Sequence, residues 1–89
     1  MTKDINENMT RYTIQLADGW QKIASSGDTV AIQSAEKSEA ILQVVDAKPS
    51  DAIDWGFELR GNTQEAFVVT HDVYARAMRA RIVIIVQKD

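Results

Sequence analysis

From Arg11 onward, apolar and polar residues alternate with period two. Tyr12, Ile14 and Leu16 interleave with Thr13 and Gln15, as in a strand with one buried face. Asp18-Gly19 then predicts a tight hairpin turn, and Trp20 opens a second short strand ending at Ala24. "SSGD" predicts another turn, and Val30 and Ile32 mark a third strand before the polar break "AEKSE". "ILQVV", Ile41 to Val45, is apolar at both parities, which predicts a strand packed on both faces or central in a sheet. Pro49 lacks an amide hydrogen and restricts Lys48, so Asp46 to Asp54 reads as a loop. Trp55, Phe57 and Leu59 resume the alternation. "RGN" turns the chain, "QEAFVVT" is a strand, His71-Asp72 is a turn, and "VYARAM" and "RIVIIV" close the series.

About eight short strands at close spacing predict an all-β fold, a small antiparallel sandwich or barrel. Residues 1–10, rich in Asp, Asn, Glu and Thr, read as a flexible N-terminal arm, and residues 11–89 as a single β-sandwich domain. One local conflict stands out. Ala, Met and Arg between Val73 and Arg81 favour helix, whereas Val73, Tyr74 and the neighbouring strands favour a sheet, and strand is the reading taken.

The final strand carries apolar residues on both faces. One face of a sandwich strand packs on the core, so the other is expected to need a partner surface, most simply a second copy of the chain. Ile82, Ile84 and Val86, with Arg76, Arg79 and Arg81 beside them, are therefore the expected interface. The expected assembly is a homo-oligomer, with a trimer favoured.

Composition narrows the alternatives. Eighty-nine residues hold one core, and a net charge of −3 disfavours general phosphate binding, so no nucleic-acid partner is expected. No cysteine is present, which removes disulfides and thiolate chemistry. The first ten residues lack the apolar stretch of a secretory signal. The longest apolar run, Ile82 to Val86, is far short of the roughly 20 residues of a membrane-spanning helix, so no membrane partner is expected.

Candidate chemistry is sparse. His71 is the only histidine, and its neighbour Asp72 would point to the opposite face of a strand, so the two form no dyad. Asp46, Asp51 and Asp54 share a loop with Glu58 beyond it, but without the spacing of a calcium loop. No nucleophile elbow and no phosphate-binding glycine loop is present. No catalytic residue, cofactor or metal is expected. Trp20, Trp55, Phe57 and Tyr74 are expected in the core. An alternative, a receptor- or carbohydrate-binding module, would place Trp55 and Asp54 on an exposed ligand face.

Several stretches resemble the small β-sandwich structural proteins of tailed bacteriophages and prophages. They are "TVAIQS" at Thr29 to Ser34, the loop around Lys48-Pro49, "GFELRG" at Gly56 to Gly61, "VYARA" at Val73 to Ala77, and the apolar final strand. Three positions depart from that pattern. The turn after Gln33 lacks an Asn-x-Gly, Arg60 stands where proline often precedes Gly61, and no glycine lies near Arg79. The resemblance implies a non-enzymatic virion component, a head decoration, fibre or tail-associated protein. Such a protein is made in the host bacterial cytoplasm, self-associates and docks on other virion proteins.

Overall fold

The computed structural model describes residues 1–61 and 64–88. Among them run nine strands: β1 (Thr2–Asn6), β2 (Met9–Gln15), β3 (Gln21–Ala24), β4 (Thr29–Ala35), β5 (Glu39–Val45), β6 (Phe57–Arg60), β7 (Gln64–Val68), β8 (Asp72–Ala77) and β9 (Arg81–Lys88). They form two antiparallel sheets, five-stranded in the order β1-β2-β9-β4-β7 and four-stranded in the order β3-β8-β5-β6. The all-β sandwich expected from the alternation is what the chain forms. The described residues contain no helix long and apolar enough to cross a membrane.

The pairing has a nested logic. β2 pairs with β9, β3 with β8, β4 with β7 and β5 with β6. The eight strands from β2 to β9 are thus one long antiparallel ribbon folded back at β5–β6 and rolled into two layers, the jelly-roll arrangement. β1 adds a ninth strand at the edge of the five-stranded sheet.

Three sequence expectations need correction. Thr2–Asn6, read as part of a flexible arm, pairs along its whole length with β2, from Thr2 opposite Thr13 to Asn6 opposite Met9. All five of its residues are exposed. An edge strand held by backbone pairing and by surface contacts such as Arg11 to Asp4 and Lys3 over the Tyr12 ring leaves no hydrophobic alternation to read. Asp18-Gly19 is not a hairpin turn either. Leu16–Asp18 forms a single 3-10 turn, with Gly19 at φ 66°, and this turn carries the chain from β2 in one sheet to β3 in the other. His71 is a bend, but Asp72 already belongs to β8. The tip of the "RGN" turn falls at Asn62, outside the described residues.

The core lies between the layers. Tyr12, Ile14, Val30, Ile32, Ile82, Ile84 and Val86 come from the five-stranded sheet. Ile23, Ala40, Leu42, Leu59, Val73, Ala75 and Ala77 come from the four-stranded sheet. β8 alternates buried Val73, Ala75 and Ala77 with half-buried Tyr74 and Arg76, so sheet context overrides the helix propensity of its alanines and arginine. The loops at the open end are tied by polar side chains. The Asp72 carboxylate accepts from the Ser26 amide at 2.9 Å and meets the Lys22 ammonium at 3.3 Å. Those two contacts, the amide first, hold its pKa below the usual carboxylate range.

β9 explains its own composition. It is the central strand of the larger sheet, flanked by β2 and β4. Ile82, Ile84 and Val86 are buried in the core. On the opposite face Val83 is also buried, between Thr13 of β2 and Ala35 of β4, while Ile85 is half-buried between Arg11 and Gln33. Of the apolar residues on the outer face of this strand, Val83 is already buried within one chain and Ile85 keeps part of its surface open. Truncating Ile84 to Ala should cost about 2–5 kcal/mol, the cost of a core cavity. Urea unfolding of the purified variant against the parent chain measures it.

Candidate functional site

The outer face of the four-stranded sheet is roofed by the loop between β5 and β6. Gln43 and Arg76 point outward from β5 and β8, alternating with core-facing Leu42, Val44, Ala75 and Ala77. The Arg76 guanidinium donates to the carbonyls of Asp51 (2.8 Å) and Ile53 (2.7 Å). The Trp20 indole donates to the same Ile53 carbonyl at 2.9 Å. Gln43 donates to the Trp55 carbonyl at 2.8 Å. The loop is thereby laid across the sheet, and Trp20 beneath it is 0% exposed although it lies outside the main core.

Gly56 completes the return to β6. A Cβ there would lie 2.3 Å from the Leu42 carbonyl oxygen, a collision with main chain that nothing flexible can relieve. Only glycine lets the chain pass this close to β5. Because β6 pairs only with Glu39 to Leu42, the continuation of β5 through Val45 has no β6 residue opposite it. A groove of about 420 Å³ opens there, lined by Leu42, Gln43, Val44, Val45, Trp55 and Phe57. Trp55 is 66% and Phe57 74% exposed, the two most exposed aromatic side chains described. Phe57 shares the core-facing parity of Leu59 and sits opposite Leu42, yet it overhangs the end of the sheet.

The aromatic residues therefore divide. Trp20 is buried as expected and Tyr74 half-buried, while Trp55 and Phe57 stand in solvent, against the expectation that all four are core. Asp54, the other residue of the alternative ligand face, is exposed beside Trp55. The sequence cue for this surface was the Asp-rich, proline-containing loop that delivers Trp55, together with the glycine beside it. Alternation at Trp55, Phe57 and Leu59 pointed the other way.

The expected interface residues do not gather. Ile82, Ile84 and Val86 are inside the core. Arg76 is half-buried and committed to the loop carbonyls. Arg79 lies 3.7 Å from Glu39 and Arg81 3.5 Å from Glu36, both at exposed positions where an ion pair adds little stability. His71 meets not Asp72 but Asp46, at 2.5 Å, with both side chains open to solvent.

No family model, curated protein or solved structure matches the chain.

The two tryptophans should separate in stability. Trp20→Ala removes a buried ring and a hydrogen bond, an expected loss of about 3–5 kcal/mol. Trp55→Ala changes an exposed ring, with an expected effect within about 0.5 kcal/mol. Guanidinium unfolding monitored by far-ultraviolet circular dichroism distinguishes them.

Proposed function

We propose that this chain is a non-enzymatic structural component of a tailed bacteriophage particle, a head decoration, fibre or tail-associated protein. It works by contact, binding further copies of itself and docking on other virion proteins, and it is made in the host bacterial cytoplasm. The observation that carries the reading is the pair of exposed aromatics, Trp55 and Phe57, at an apolar groove. Large rigid aromatic side chains of this kind dominate contact energetics when a partner buries them. The contact thus moves from β9, where the sequence placed it, to the β5–β6 edge.

Two further features support the setting. The jelly-roll order of β2 to β9 is used by capsid and lectin domains, a likeness of fold alone. The stretches that resemble phage structural proteins include "GFELRG", which forms one wall of the groove and the edge strand beside it.

The exposed Trp55 beside Asp54 also favours a second reading, a receptor- or carbohydrate-binding module of a phage fibre. Sugar recognition needs several directed polar groups around the ring. Among the described residues of the lining the polar groups are the Gln43 amide, which already donates to the Trp55 carbonyl, and the Trp55 indole N–H. The groove suits an apolar protein surface better.

Light scattering on the purified chain should give a mass at a multiple of the 9.9 kDa protomer at micromolar concentration. The double variant Trp55→Ser, Phe57→Ser should run as a folded monomer. A parent chain that stays strictly monomeric contradicts the proposal.

A further inference from the structure

β6 is the last strand of the four-stranded sheet, and among the described residues no strand pairs with its outer edge. Its sequence, Phe-Glu-Leu-Arg followed by Gly61, is self-complementary when read against itself in the antiparallel direction. Leu59 points into the core, so Glu58 and Arg60 share the outer face, where they meet at 2.8 Å within one chain.

We infer that two copies of the chain pair along β6 about a twofold axis at Leu59, joining their four-stranded sheets edge to edge. This inference rests on the self-association proposed above and supplies its register. With Leu59 on the axis, Glu58 faces the partner subunit's Arg60, and Arg60 faces the partner subunit's Glu58. Two opposite-charge cross-strand pairs form, each on the solvent side of the joined sheet. Moving the axis to Glu58 or to Arg60 places like charges opposite each other, so charge selects one register among its neighbours.

The same register settles Phe57. Its ring comes over the partner subunit's Gly61, which has no side chain and, where a Cβ would sit, has nothing within 4 Å. A large aromatic laid over an edge glycine is a known way of completing a strand pair. Phe57 supplies the apolar part of the contact and Glu58 and Arg60 its direction. The symmetry is isologous and closes at two subunits, so the unit is a dimer rather than the trimer favoured by the sequence alone.

The test is a charge exchange. Glu58→Arg leaves two arginines on each β6, and Arg60→Glu leaves two glutamates. Each variant alone should fold, as judged by circular dichroism, and should associate at least about tenfold more weakly than the parent chain, because like charges oppose across the axis. An equimolar mixture of the two variants should restore a dimer, with arginines on one strand facing glutamates on the other. The register is overturned if either variant alone dimerises like the parent, or if the mixture of folded variants remains monomeric. If the Trp55, Phe57 double variant dissociates while the charge variants associate normally, self-association stands and this register falls. A monomeric parent chain overturns both.

Discussion

One carbonyl oxygen organises the exposed surface of this molecule. Ile53 O accepts from the Trp20 indole and from the Arg76 guanidinium, fixing the β5–β6 loop over the outer face of the smaller sheet. Trp20 is buried as a result. Gly56 then passes so close to the Leu42 carbonyl that no side chain fits, and the chain enters β6 with Trp55 and Phe57 in solvent. Without these two bonds the loop is held by Arg76 at the Asp51 carbonyl and Gln43 at the Trp55 carbonyl, so the wall of the groove loosens. The Trp20 indole is the buried partner in this latch, and breaking its hydrogen bond would leave a buried donor unpaired, whereas the half-buried Arg76 keeps access to water.

The jelly-roll ribbon sets the rest. Rolling a ribbon from β2 to β9 makes the last strand central, and a central strand meets neighbours along both edges. Val83 is buried within its own chain, with Thr13 and Ala35 as its sheet partners. Most of what looked like a sticky surplus in "RIVIIV" is the requirement of a central strand, with Ile85 alone of its apolar residues half-buried. The two outer edges differ in what they offer. β1 is wholly exposed and polar apart from Ile5, whereas β6 combines an aromatic and a charge pair of opposite signs, with Gly61 directly after it.

The strands with one buried face were legible from alternation. Tyr12 and Ile14, and Val30 and Ile32, stand where period two placed them, because burial of alternate side chains writes that period into the sequence, and the both-parity run from Ile41 to Val45 begins with Ile41 and Leu42 buried on opposite faces of β5. Three things were not legible. β1 has no buried side chain, so nothing in "TKDIN" marks it as a strand. Trp20 and Trp55 have similar local sequence surroundings, and only the tertiary path of the loop makes one core and the other surface. Val83 on the outer face of β9 is buried beside residues far away in sequence, between positions 13 and 35, and a local pattern holds no record of such neighbours.

Hydrogen–deuterium exchange at two protein concentrations, one far below and one far above the association midpoint, tests the placement of the contact directly. The account predicts that amides of Phe57 to Gly61 gain protection at high concentration, while those of β9 are protected equally at both. Concentration-dependent protection in β9, with β6 exchanging at the same rate throughout, would contradict it.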